Sequence, residues 1–189
     1  MEFKKIQLNG FKSFAEKTNF LIEDGLTGIV GPNGCGKSNI VESLRWVMGE
    51  TSAKSMRGSG MEDVIFSGTS NKASKNIAEV SIEVENKDKE GPIQYRELEQ
   101  IQVRRKIEKD KGSKFYINDK EVRARDAQMF FADLSTGAHS PSMISQGRIG
   151  ALVTAKPTDR RAILEEAAGI SGLHVRRHEA ELRLGAAEN

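Results

Sequence analysis

Residues 31–38 read Gly31-Pro32-Asn33-Gly34-Cys35-Gly36-Lys37-Ser38, which satisfies G-x-x-x-x-G-K-[ST] at every fixed position. The expected context for this pattern is a strand before it and a helix after it. The glycines let backbone N–H groups turn inward around phosphate oxygens, and the helix N-terminus adds its dipole. Lys37 can reach β- and γ-phosphates, and the Ser38 hydroxyl can sit on Mg²⁺. With glycine at about 7% of residues, chance produces the pattern in on the order of one chain in a hundred of this length. It is therefore read as a nucleotide site rather than a glycine-rich turn with a solvated lysine.

The flanks fit that context. Leu26-Thr27-Gly28-Ile29-Val30 is a short apolar run suited to a buried strand entering the loop. Beyond Ser38, Ile40, Val41, Leu44, Val47 and Met48 recur at helical spacing, and Gly49 is placed to end that helix.

A length of 189 residues suggests one domain, with room for an appendage. With 37% hydrophobic and 30% charged residues, the chain can form a core beneath a highly charged surface. The net charge of +2 confines any nucleic-acid contact to local patches. Cys35, the single cysteine, rules out an internal disulfide and fits a reducing cytosol. It sits at a loop position that tolerates many small residues; a reactive thiol is the other reading. No apolar run approaches the ~20 residues of a membrane span, and Met1-Glu2-Phe3-Lys4-Lys5 leads into no signal-peptide core. The expectation is a soluble, cytoplasmic protein with no membrane partner.

Strands are expected at Phe3 to Leu8 and Asn19 to Ile22, punctuated by Asn9-Gly10 and Asp24-Gly25. Ile77, Val80, Ile82 and Val84 mark another strand. A fourth alternates Ile101, Val103, Arg105, Ile107, and a fifth runs from Lys114 to Asn118. Asp110-Lys111-Gly112 between the last two signals a hairpin turn, and Asn86 to Gly91 reads as an exposed loop. Helical signals follow. Ala127, Phe130, Phe131 and Leu134 share one face, Pro157 stands early in a stretch running toward Ala168, and residues 173–187 read as an amphipathic terminal helix.

A phosphate loop needs an aspartate at the end of an apolar strand to hold Mg²⁺. The clean match, Met129-Phe130-Phe131-Ala132-Asp133, falls on the helical face just described and is rejected. Asp88-Lys89-Glu90-Gly91 lies in a polar loop, and Asn86-Lys87-Asp88-Lys89 puts its aspartate one place too early to read guanine. The chain carries half of a hydrolytic site.

With that half site, the chain resembles the N-terminal half of the ATPase head of bacterial SMC (structural maintenance of chromosomes) proteins, of the ABC class. The likeness rests on Gly10-Phe11-Lys12-Ser13-Phe14, the phosphate loop, Arg45-Trp46-Val47-Met48-Gly49-Glu50 and Met56-Arg57-Gly58. It continues through Glu62-Asp63-Val64-Ile65-Phe66-Ser67-Gly68, Ser145-Gln146-Gly147-Arg148 and Glu165-Glu166-Ala167-Ala168-Gly169-Ile170. The resemblance implies an α/β fold, the ABC-type N-terminal lobe. A mixed β-sheet would surround the P-loop helix, with a strand-rich subdomain, ending in helices that start a coiled coil. Residues 1–170 would be the lobe and 171–189 the start of the coiled-coil neck. Leu134-Ser135-Thr136-Gly137 is read as a loop within the lobe.

The resemblance also assigns roles. ATP would be held by Lys12, Ser13, Gly31, Pro32, Asn33, Gly34, Cys35, Gly36, Lys37, Ser38, Asn39, Asp63 and Gln146, with Ser38 and Gln146 on Mg²⁺. Asp63 is open to a salt-bridge role instead. No catalytic residue lies in the chain itself, and Arg57 is either an auxiliary that stabilises phosphate charge or contacts DNA, or an ordinary surface arginine. Arg57, Arg123 and Arg125 are the expected DNA contacts, without sequence readout. Arg104, Arg105, Lys106, Lys109 and Lys111 form a second basic cluster, either solvated or facing DNA. Implied partners are the C-terminal half of the same head, a second head in an ATP-sandwiched homodimer, DNA and a kleisin-type subunit, with nucleoid association. A related ABC-class DNA-repair ATPase is the alternative.

Overall fold

The computed structural model describes residues 1–53, 56–87, 89, 91–134, 150, 153–167, 177, 180–181 and 184–185. The chain divides into two compact units, Met1–Ala127 and Gln128–Asn189.

The first unit is built on a six-stranded sheet in the order β2-β1-β3-β4-β5-β6. Its strands are β1 (Glu2–Asn9), β2 (Thr18–Leu21), β3 (Ile77–Glu85), β4 (Gln100–Glu108), β5 (Gly112–Ile117) and β6 (Lys120–Val122). The α/β class expected from sequence is present, but every pairing among the described residues is antiparallel rather than mixed. The β4-β5 and β5-β6 links are too short for the crossover a parallel pair requires.

Alternation sets the sheet's buried face. Ile6 pairs with Ile82, Leu8 with Val80, Ile82 with Val103, and Val103 with Ile117, and all are buried. Helix α1 (Lys37–Val47) lies against β3 and β4 and buries Ile40, Trp46 and Val47. Gly49, at φ 105°, takes the left-handed turn that ends the helix, as expected. Gly10 is pressed against β3: a Cβ there would lie 2.2 Å from the Ile77 carbonyl oxygen. The turn after it is tied across the fold by Lys12 N–H to the Val64 carbonyl at 2.7 Å and Phe66 N–H to the Gly10 carbonyl at 2.8 Å.

Two expectations fail here. Leu26 to Val30 is not a buried strand: it is irregular, with Leu26 99%, Ile29 45% and Val30 93% exposed. A single strand cannot satisfy its backbone groups or bury apolar side chains alone, and no strand among the described residues pairs with it. The polar loop at Asn86 is also not simply exposed. Asn86 is buried, its side-chain amide donating to the Arg96 and Leu98 carbonyls and accepting from Gly91 N–H.

Helix α2 (Ala124–Asp133) carries Met129 to Asp133, so that segment is helical and its acid does not end a strand. In the second unit, helix α3 (Pro157–Ala167) begins at Pro157 as expected. An Arg161–Glu165 pair at 2.7 Å braces its exposed side. Residues 135–149, which include Gln146 and Ser135 to Gly137, lie outside the described residues, as does most of 173–187.

Candidate phosphate-binding site

The loop from Gly31 to Cys35 is exposed and delivers the chain into the N-terminus of α1. Gly34 and Gly36 hold φ of 85° and 99°, the left-handed values that an L side chain rarely adopts. At Gly36 a Cβ would also meet Ser13 Oγ at 2.5 Å, so the loop packs directly on the Lys12-Ser13 turn. The first four N–H groups of any α-helix lack intrahelical partners, and here no acid occupies the first turn to oppose an anion. The Lys37 ammonium donates to the carbonyls of Gly31 and Pro32, both at 2.6 Å, and lies 3.9 Å from Cys35 Sγ. A lysine folded back over its own loop, beside left-handed glycines at a helix N-terminus, is a donor set that suits phosphate oxygens. The exposed Ser38 hydroxyl is the oxygen that such a loop offers to a hard cation.

Several residues separated in sequence converge beside the loop. Asn39 donates to Ser13 Oγ at 2.9 Å and accepts from Arg57 Nη2 at 3.1 Å. Glu42, one turn along α1, accepts from Lys12 Nζ with one carboxylate oxygen and from Arg57 Nε with the other. Lys12, Ser13, Asn39 and Arg57 are therefore joined into one network with the phosphate loop. Sequence reasoning missed Glu42, although Asn39 and Glu42 stand three apart on a helix whose apolar positions are elsewhere.

Of the remaining candidates, Asp63 feels the charge of Lys12 but makes its hydrogen bonds within its own turn. Asp63 sits in the 3-10 turn Met61–Val64, and its carboxylate accepts from Ser59 N–H at 2.6 Å, Ser59 Oγ at 2.9 Å and Gly60 N–H at 2.9 Å. It anchors the turn that follows Arg57. The Gly60 N–H, followed by the Ser59 hydroxyl and N–H, holds its carboxyl below the usual aspartate range. A depressed folded value means the turn's stabilisation is complete above the ordinary aspartate value and fades as pH falls through the lower one. The melting-temperature gap between wild type and Asp63→Asn should be widest above about pH 5 and close at lower pH. A gap independent of pH would remove the carboxylate from the turn's stability.

Arg123 and Arg125 lie exposed around the start of α2. Arg123 contacts Asp126 at 3.2 Å, and its carbonyl accepts from Asp126 N–H. The basic cluster around the β4-β5 hairpin is not one phosphate-facing patch. Arg104 engages Glu79 at 3.2 Å and Asp119 at 2.9 Å, and Arg105 is buried. The inward position of Arg105 was readable in the alternation of Ile101, Val103 and Ile107.

Residues 2–148 match the family model described as the RecF/RecN/SMC N-terminal domain. The chain is 57% identical over 188 residues to the chromosome partition protein Smc of Cereibacter sphaeroides and 55% identical to that of Rhodopseudomonas palustris. It aligns along 100% of its own length but spans only 16% of either relative. Among solved structures, an Smc head bound to the C-winged helix domain of ScpA superposes with a TM-score of 0.83 at 31% identity, over 90% of this chain and 52% of that one. An Smc head with an extended coiled coil, bound to the C-terminal domain of ScpA and derived from Pyrococcus furiosus, gives 0.82 at 30% identity, over 98% and 46%. A structure from work on ATP-driven dimerization and DNA-stimulated activation of SMC ATPases gives 0.75 at 31% identity, over 88% and 99%. The exposed phosphate loop, the antiparallel sheet behind it and these likenesses agree: the chain belongs to the RecF/RecN/SMC N-terminal domain family, as the N-terminal half of a bacterial SMC head.

Proposed function

We propose that this chain is the ATP-gripping half of a chromosome-partition ATPase head. The observation that carries the reading is the convergence of Lys37, Lys12 and Arg57 around a glycine loop at the mouth of α1. Loop N–H groups and Lys37 would hold the β- and γ-phosphates, and Ser38 would offer its hydroxyl to Mg²⁺, a cation for which the resemblance also names Gln146. Bound Mg²⁺ supplies charge neutralisation on the phosphate oxygens. The chain's own residues bind and orient. The residues that activate water come from a C-terminal half of the head, which in the resembled family carries the signature motif and the Walker B acids.

The exposed apolar run Leu26, Ile29 and Val30 supports a head completed by other protein. It is a strand-like sequence entering the phosphate loop, and the complementary half supplies its neighbours. Two such heads close on two ATP molecules, and hydrolysis reopens them, coupling the cycle to DNA entrapment and segregation at the nucleoid. Arg57, Arg123 and Arg125 offer phosphate contacts without sequence readout. A kleisin subunit is the further partner that the ScpA-bound neighbours bring to mind for this chain.

The test is complementation. Residues 1–189 expressed alone are expected to show no ATP turnover above background. Co-expression with the C-terminal half of the head is expected to restore turnover and reduce the exposure of residues 26–30 in hydrogen exchange. Turnover by the isolated chain, lost in Lys37→Ala, would show that it carries a complete site and would end the half-head reading.

A further inference from the structure

Glu42 is a buried acid beside a site that suits an anion. Left unpaired, its charge would oppose a triphosphate. It is instead paired twice, by Lys12 through one oxygen and by Arg57 through the other. Lys12 also donates to the Met56 carbonyl, so its ammonium joins the turn after β1, helix α1 and the segment carrying Arg57. Asn39 repeats the pattern on the same face of α1, holding Ser13 and Arg57. Two helix residues three apart thus grip the same two flanking segments.

The cations they hold are not in relaxed backbone. Lys12 and Arg57 sit at φ of 46° and 54°, a left-handed conformation that non-glycine residues keep when their surroundings hold them there. Arg57 still has 59% of its side chain exposed, so its pairing with Glu42 leaves guanidinium surface open. The network touches the phosphate loop directly, because Ser13 Oγ lies 2.5 Å from where a Cβ on Gly36 would fall.

We propose that Glu42 is a positioning residue of the nucleotide site: its carboxylate pre-sets Lys12 and Arg57 as a cation pair beside the phosphate loop, and those cations meet the nucleotide. The inference rests on the phosphate-loop reading and adds to it a role for an acid. One negative charge against two positive ones leaves the cluster cationic. A fixed cation binds an anion better than a mobile one because less side-chain freedom is lost on binding.

The experiment is a double-mutant cycle on the full-length protein, with a fluorescent ATP analogue titrated at fixed salt and melting temperature recorded for every variant. Glu42→Gln keeps the shape and removes the charge, and is expected to weaken binding about tenfold. In a Lys12→Ala/Arg57→Ala background the same change is expected to have little further effect, because the residues it positions are gone. Glu42→Asp, which restores the carboxylate, should recover part of the affinity; it is read against the same backgrounds if Glu42→Gln does not fold. An effect of equal size with and without the two cations means Glu42 is only structural and overturns the proposal, as does unchanged affinity. Lys37→Ala separates the two levels of inference. If that variant binds like wild type, the site reading fails, whatever Glu42 does.

Discussion

Lys37→Ala is expected to reduce the affinity of the full-length protein for ATP on the order of 100-fold or more while leaving its melting temperature almost unmoved. The first half follows from charge. Each hydrogen bond between an ammonium and a phosphate oxygen contributes about 1.5–3 kcal/mol, and a tenfold change in affinity corresponds to about 1.4 kcal/mol. A lysine that serves both β- and γ-phosphates makes at least two such bonds. The second half follows from where Lys37 sits now. Its ammonium donates to the Gly31 and Pro32 carbonyls on an exposed loop, where water replaces the lost donor at little cost. A fluorescent ATP analogue and a thermal melt read the two quantities independently. Lys37→Arg keeps the charge but not the compact ammonium, and should fall between wild type and alanine. Wild-type affinity in the alanine variant would overturn the reading of this loop as the phosphate site.

The strands of this fold are legible because alternation is a local property. Val80, Ile82 and Val84 in β3, and Ile101, Val103 and Ile107 in β4, declare a buried face without reference to the rest of the chain. Helix α1 was equally readable, from the spacing of Ile40 to Val47 and the stop at Gly49. The errors arise where structure depends on a distant partner. Leu26 to Val30 has a strand's composition, but a strand also needs a neighbour, and none among the described residues is paired with it. Asn86 looked like loop polarity, yet its amide makes the bonds that close the loop. The site divides in the same way. Its phosphate loop is contiguous in sequence and could be read at once. The Glu42 network joins residues 12, 13, 39, 42 and 57, and only the tertiary fold brings them to one place.

Arg105→Ala is expected to destabilise the first unit by about 3–5 kcal/mol, the sum of a vacated volume and carbonyls stripped of their donor. Arg105 stands at a buried position of β4, stacked 4.5 Å from the Trp46 ring and 4.6 Å from the Phe115 ring. Its Nη1 donates to the carbonyls of Trp46 at 2.8 Å and Glu50 at 2.7 Å. Those carbonyls lie at the end of α1 opposite the phosphate loop, where a cation also opposes the negative pole of the helix. Burial pushes the guanidinium down to about 10, with the Glu50 charge pulling the other way, so it stays charged through neutral pH. Arg105→Met separates the two contributions: it refills the space against Trp46 and Phe115 but donates nothing, so it should recover part of the loss and leave the carbonyl penalty, about 1–3 kcal/mol. Trp46, the only tryptophan in the chain, reports unfolding in denaturant directly from beneath the substituted residue. Unfolding midpoints that coincide for wild type and Arg105→Ala would mean that the end of α1 is held without Arg105. A methionine variant as stable as wild type would instead assign the whole contribution to packing. In either variant, protein that remains folded should bind nucleotide with near-normal affinity, because Arg105 and Lys37 act at opposite ends of one helix.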